Sequence, residues 1–240
     1  MSQIEQSAVR NRLLAALPPD AFAELAPALD PVGLAFGQTL HEPGQAIRAV
    51  HFPEGGMVSL LVPLEDGRAQ EVGVVGREGL VGLPVVLGAG RATTEALIQM
   101  EGPALRVRAA ELRAAFDRSA PLRAVLLRYV QAFHTQVAQG AACNAQHRVD
   151  ERLARWLLML HDRAERDEFP VTHEFLALML AARRPGISVA AGALQRAGAI
   201  SYTHGRMAVL DRAGLEAASC ECYGTVREQF EHLLGVPAGE

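Results

Sequence analysis

Three cysteines, two histidines in predicted strands and a cluster of arginines near the C-terminus are the residues of this chain whose types could do chemistry. Cys143, Cys220 and Cys222 are odd in number and cannot all pair within one chain, and Cys220-Glu-Cys222 is unlike the spacing of a secreted disulfide framework. Two sulfurs one residue apart seldom hold an ion without further ligands, so the cysteines are read as structural and no metal ligand is assigned. His41 and His51 invite comparison with a barrel metal enzyme, but such a site needs a tight His-x-His pair with a Glu and another His, and none is present. The glycine-rich stretches lack the Lys-Ser/Thr context of a phosphate loop, and no nucleophile lies in a readable pairing with a base. No catalytic residue is assigned, and the chain is not expected to be an enzyme. The arginines remain.

The protein has 240 residues, 23 basic against 27 acidic, for a net charge of −4. It therefore has no general basic character. Between Val171 and Arg212, however, Arg183, Arg184, Arg196, Arg206 and Arg212 face only Glu174 and Asp211, a surplus of three positive charges. A positive island in an acidic chain is a candidate DNA face. No apolar run reaches the roughly 18 residues of a membrane span. The start, MSQIEQSAVRNRLL, lacks the basic segment and apolar core of a signal peptide, so a cytoplasmic location is expected and no membrane partner.

The elements that would position these arginines follow from periodicity. Residues 1–30 hold N-terminal helices, an amphipathic one with Asn11, Leu13, Leu14 and Leu17, then Phe22, Leu25 and Leu29 beyond the Pro18-Pro19 break. In residues 31–118 short apolar stretches alternate with Gly, Pro and Asp, which predicts a compact antiparallel β-barrel or sandwich, with Asp66-Gly67 as a hairpin turn. Residues 119–147 form a long helix started by Ser119-Ala-Pro121. Its seam of Leu122, Leu126, Tyr129, Phe133 and Gly140 is expected to pack on a partner helix, giving a homodimer. Residues 148–240 open with a helix that buries Leu153, Trp156, Leu157 and Leu160.

Within that last segment Thr172 is the predicted N-cap of a short helix with Phe175, Leu176, Met179 and Leu180 on its apolar side. A turn at Ala181-Ala182 leads to a second helix that begins near Arg183-Arg184-Pro185 and ends at Gly198. Two short helices across such a turn are a helix-turn-helix, whose second helix presents its first residues to base edges. Those are Arg183, Arg184, Pro185, Ser188 and Val189. A hairpin from Ala199 to Leu210, with His204-Gly205 at its tip, reads as a wing. Thr172, His173, Arg196, His204 and Arg206 are candidate contacts to the DNA backbone, as is Glu174 through water.

Together with FGQTLHEPGQ (Gly37, Gly44), VHFPEGGMV, GREGLVG and VDERLARWLLML, this unit resembles the Crp/Fnr family of bacterial regulators over nearly the whole chain. The resemblance implies an α+β fold. It would comprise a cyclic-nucleotide-binding-like antiparallel β-barrel of the double-stranded β-helix (jelly-roll) type, a dimerisation helix and a C-terminal winged helix-turn-helix. It also implies a dimer on a two-fold symmetric double-stranded DNA operator, with half-sites about 34 Å apart. RNA polymerase is a candidate further partner.

Departures from the family pattern bear on the effector. Members that bind cyclic AMP hold it with a Glu and an Arg-Ser pair; here those positions fall on Leu83 and Thr93-Thr94, with Arg91 two places out of register. A phosphate with no charged partner is poorly held, which argues against cyclic AMP. The iron–sulfur cluster of oxygen-sensing members is not expected, since no cysteine precedes Cys143, whereas haem would need only an axial His or Cys. By the resemblance an effector would sit among Gly82, Leu83, Arg91, Thr93, Thr94, Tyr129 and Phe133. Arg184 matches the family's base-reading arginine. Pro185, Val189, Arg183 and Ala181 differ from the usual Glu, Arg, Ser/Thr and Gly, so a different DNA sequence preference is implied. A constitutive DNA-binding dimer with the barrel as scaffold, and more remotely a barrel enzyme, are the alternative readings.

Overall fold

The computed structural model describes residues 4–164 and 166–235. Two short helices come first, α1 (Arg12–Ala15) and α2 (Pro19–Leu25). Asn11 does not lie on an apolar face as the periodicity suggested. It is the N-cap of α1, its Oδ1 accepting from the Leu13 and Leu14 amides, while its Nδ2 donates to the carbonyls of Pro53 (2.9 Å) and Gly79 (2.8 Å). One buried amide thus fastens the helix start to Pro53 and Gly79 of the barrel.

The barrel follows as β1 (Asp30–Leu34), β2 (Thr39–His41), β3 (Ala49–Pro53), β4 (Met57–Pro63), β5 (Ala69–Val75), the short α3 (Leu83–Val86), β6 (Glu95–Met100) and β7 (Gly102–Arg108). The strands form two antiparallel sheets, in the orders β1-β7-β3 and β2-β6-β4-β5. No strand ladder joins the two sheets among the described residues, so their shared side-chain core takes the place of full hydrogen-bonded closure. The Asp66-Gly67 turn links β4 to β5 as expected. Strand β4 is apolar on both faces because both are covered. Val58 and Leu60 enter the barrel core, whereas Met57 and Leu61 join the core of the C-terminal unit.

Helix α4 (Ala109–Arg118) leads to the long α5 (Ala120–Gln146), capped by Ser119. Beyond it lie α6 (Val149–Ala164), β8 (Glu168–Pro170), α7 (His173–Met179), α8 (Arg184–Arg196), β9 (Ile200–Thr203), β10 (Arg206–Val209), α9 (Arg212–Ala218) and α10 (Cys222–Leu234). Among the described residues no single helix is long and apolar enough to cross a membrane. Helix α10 returns to lie along α5, and its Val226 and Phe230 belong to the barrel core, not to that of the C-terminal unit.

The seam assigned to α5 needs correction. Leu122, Leu126, Tyr129 and Phe133 are all buried inside their own chain, against the barrel and α10, and are not free for a partner. Gly73 and Gly79 make room for two of them: a Cβ on Gly79 would fall 2.5 Å from Tyr129 Oη, and one on Gly73 would fall 2.7 Å from the Phe133 ring. The seam next to it is the exposed one. Ala124, Leu127, Gln131, His134, Ala138, Ala141 and Ala145 recur at alternating steps of three and four, and every one is exposed. Gly140 is half-buried, with open space where a Cβ would stand.

Two polar ties hold the C-terminal unit to the barrel. Glu78 pairs with Arg163 of α6, with both side chains largely buried, and its carboxylate also accepts from the Gly76 amide. Glu71 accepts from Ser59 Oγ (2.6 Å) and from the indole Nε1 of Trp156 in α6 (2.8 Å), and burial pushes its pKa up to about 7.

Candidate nucleic-acid interface

Helix α7 starts because Thr172 is extended and its hydroxyl accepts from the Phe175 amide at 3.1 Å. It ends at Leu180, whose carbonyl accepts from Arg152 of α6. The turn then needs a left-handed residue, and Ala181 supplies it at φ +44°. This is the position where the family pattern has Gly, so alanine carries backbone strain here. Helix α8 begins with Arg184 and Pro185, proline's fixed φ suiting the first turn. The two helices meet at 107°, within the range of a helix-turn-helix.

Helix α8 is two-faced. Ile187, Ala190, Ala191 and Leu194 are buried against α6 and α7. Arg183, Arg184, Pro185, Ser188 and Val189 form one outward stripe on its first turns, and Val189 is 71% exposed despite being apolar. The structure thus brings together the five residues expected to face base edges. Arg183 is the N-cap residue but makes no side-chain cap bond. Arg184 Nε lies 2.9 Å from Glu174 Oε1 of α7, both groups well exposed. Glu174 is therefore a direct partner of Arg184, where the sequence suggested a water-mediated DNA contact.

His173 has a different place from the one expected. Its ring stacks on Tyr202 of β9 (centroids 4.3 Å apart, planes at 15°), and its Nδ1 lies 3.0 Å from Ser188 Oγ of α8. Burial, reinforced by the positive charge of Arg184, lowers its pKa. It is a strut joining α7, α8 and the wing. Thr172 is exposed at the cap, and Arg196 is exposed near the end of α8.

The wing is the β9–β10 hairpin, with β8 added to give the order β8-β10-β9. His204 (φ +50°) and Gly205 (φ +76°) make its two-residue turn, both in the left-handed region that such hairpins require. His204 is exposed at the tip, and Arg206 just beyond it pairs with Glu168 of β8.

The residues expected to surround an effector are mostly engaged. Tyr129 and Phe133 fill the interior beside Gly79 and Gly73, and Tyr129 Oη donates to the Leu80 carbonyl at 3.2 Å. Gly82 and Leu83 form the start of α3. The Arg91 guanidinium donates to the Gly44 carbonyl at 2.7 Å, and both Arg91 and Thr93 are exposed, with Thr94 half-buried. Open clefts lie elsewhere. A cleft of about 390 Å³ is lined by Met57, Met100, Trp156, Phe169 and Phe175, and one of about 400 Å³ by His41 and His51. Burial lowers the pKa of His41, and that of His51 falls to about 4 through burial and the neighbouring Arg106.

The sequence reading took Cys143, Cys220 and Cys222 as structural and missed His147 as a fourth member of their group. Cys143, His147, Cys220 and Cys222 are the single set of three or more metal-capable side chains found together among the described residues. The available signal was Cys143 and His147 four apart on one helix face, coupled to Cys220-x-Cys222.

A two-sheet barrel, a long helix with an exposed seam and a winged helix with an arginine-bearing stripe together define a winged-helix DNA-binding architecture. Residues 151–218 match the family model of the Crp-like helix-turn-helix domain. The chain also has the fold of Crp/Fnr regulators, as the sequence motifs implied. Similar solved structures include FixK2 from Bradyrhizobium japonicum, with a TM-score of 0.69 and 15% identity over 80% of this chain and 98% of that one. A CRP-family transcriptional regulator from Thermus thermophilus gives 0.65 and 23% over 78% and 96%. The c-di-GMP-responsive global regulator CLP of Xanthomonas campestris gives 0.65 and 15% over 80% and 99%. No curated protein sequence matches the chain significantly.

Proposed function

We propose that the protein is a homodimeric, sequence-specific transcription regulator of the Crp/Fnr type, acting on DNA in the cytoplasm through an effector other than cyclic AMP. The observation that carries this reading is the outward stripe of Arg183, Arg184, Pro185, Ser188 and Val189 on a helix whose opposite face is buried. Arg184 is suited to grip the O6 and N7 of a guanine, and Val189 to meet a thymine methyl. Thr172, Arg196, His204 and Arg206 surround the stripe as contacts to phosphates. The uncharged outer seam of α5 supports dimerisation. RNA polymerase is the further partner if binding raises transcription.

The effector reading rests on Leu83, Thr93 and Thr94, which offer a cyclic phosphate no charge. The close packing of Tyr129 and Phe133 favours a second reading, a constitutive DNA-binding dimer whose barrel is scaffold. Capture of sheared genomic fragments by the purified protein, repeated with Arg184→Ala, tests the main proposal. A shared palindromic motif that disappears in the variant is expected, and sequence-indifferent capture both alone and in cell extract would refute it. A change in affinity on adding extract metabolites separates the two readings.

A further inference from the structure

Cys143 lies in the last turn of α5 and His147 is its C-cap, and the corner between α9 and α10 carries Cys220 and Cys222. Packing of α10 along α5 brings the pairs together, so that their four ligand atoms all lie within 4.8 Å of one another. Cys143 Sγ is 3.5 Å from Cys220 Sγ, and Cys222 Sγ is 3.4 Å from His147 Nδ1. Ligands of a tetrahedral zinc ion stand roughly 3.5–3.8 Å apart, as follows from Zn–S and Zn–N bonds near 2.3 and 2.0 Å. The cluster would need to contract by about 1 Å at its widest pair to meet that spacing.

The surroundings suit a bound cation. The three cysteines form a buried group of their own, outside both hydrophobic cores, so filling a core does not account for them. Glu221 Oε1 lies 3.3 Å from His147 Nε2. A carboxylate there holds the proton on Nε2 and leaves the Nδ1 lone pair facing the sulfurs, the usual outer support of a metal-bound histidine. Gln139 Nε2 donates to Cys222 Sγ at 3.1 Å, a bond that favours thiolate. Arg152 and Arg155 of α6 interact electrostatically with the cysteines, and each keeps a buried Nε with no hydrogen-bond partner. Their two positive charges would balance the net −1 of three thiolates around a divalent ion together with the −1 of Glu221.

We propose that Cys143, His147, Cys220 and Cys222 form a closed, mononuclear site for a thiophilic divalent cation of the zinc class. Soft sulfur donors disfavour magnesium and calcium, and four protein ligands leave no open position for catalysis. The location gives the site its consequence. The helix-turn-helix unit leaves the body of the protein just after His147 and rejoins it just before Cys220. One ion would clamp both ends of that unit to the foot of α5.

The test uses the full-length protein. Elemental analysis after growth with zinc should give about one zinc per chain, in keeping with a closed four-ligand structural site. Cobalt substitution should give thiolate charge-transfer and tetrahedral d–d bands. Both signals should be lost in Cys222→Ser and His147→Ala and retained in His147→Cys. Because a variant can misfold, alkylation of wild-type thiols is followed as well. The cysteines should react only after chelation and be protected again by zinc. Absence of metal with zinc-independent alkylation would overturn the site, as would a Cys143–Cys220 disulfide in the purified protein. Iron with acid-labile sulfide would overturn its mononuclear character.

Discussion

Helices α5 and α8 both bury one face and expose the other, but the exposed faces are chemically opposite. Along α5 the outer seam runs Ala124, Leu127, Gln131, His134, Ala138, Ala141 and Ala145, with no Asp, Glu, Lys or Arg. On α8 the outer stripe begins with two arginines and holds an exposed valine. Small neutral residues let a second backbone come close, which suits a helix partner. Guanidinium groups with a branched apolar neighbour suit phosphates and base edges. Burial pattern alone finds an amphipathic helix in each case; the chemistry of the uncovered face tells the two roles apart.

The largest expected effect separates the two faces of α5. Tyr129→Ala should destabilise the protein by about 4 kcal/mol in chemical denaturation, since it empties a fully buried ring site. Leu127→Arg should leave unfolding of the chain nearly unchanged but shift sedimentation from dimer to monomer. A Leu127→Arg protein that remains a dimer would break the assignment of the outer seam.

On α8, Arg184→Ala should weaken binding to the captured operator by about 1–3 kcal/mol per half-site and relax the preference at one base pair, measured by fluorescence anisotropy at fixed salt. Its thermal stability should hardly change, because the Arg184–Glu174 pair is exposed. An equal loss on every DNA sequence would mean that Arg184 meets phosphate and not a base.

Glu71 tests the joint between the units that carry the two helices. Its folded pKa, raised to about 7 by burial, exceeds the ordinary carboxylate value. The folded state therefore binds the extra proton between about pH 4.5 and 7, and stability should fall across that window as pH rises and level off above it. Glu71→Gln keeps a carbonyl oxygen that accepts from Trp156 Nε1 and places an amide NH2 that donates to Ser59 Oγ, so it should flatten this fall and stabilise the protein by about 2 kcal/mol at pH 8. A wild-type curve already flat from pH 5 to 8 would remove the argument.

The smallest effect is at the turn before α8. Ala181→Gly should raise stability by about 1 kcal/mol by relieving a left-handed alanine, with operator preference unchanged. A shift in preference would show that the strained turn helps to aim the stripe.

Much of the candidate nucleic-acid interface was legible because its determinants are local. Thr172 caps α7 through an amide three residues on, Pro185 starts α8, and the apolar spacing of Ile187, Ala191 and Leu194 fixes which side of α8 faces out. His204-Gly205 sets the wing turn by its own backbone preference. The partners of His173, Ser188 and Tyr202, were not legible because folding brings them to it from other elements. The seam of α5 was misassigned for a similar reason. Both candidate faces repeat at three and four, and the periodicity cannot say which one the barrel will cover.

Sequence by itself determined the antiparallel strand region, the long helix, the position of the helix-turn-helix with its wing and the arginines it displays, since these depend on neighbours within a few residues; short elements such as α3, β8 and α9 were not read from it. Only the tertiary structure decided which face of α5 is spent inside the chain, that Asn11 ties α1 to the Pro53 and Gly79 carbonyls, and that His147 joins three cysteines lying up to 79 positions apart. Those outcomes depend on which surfaces meet when α10 folds back along α5 and the barrel packs against both. Contacts of that kind are set by packing across the whole chain and leave no periodic trace in the segments that make them.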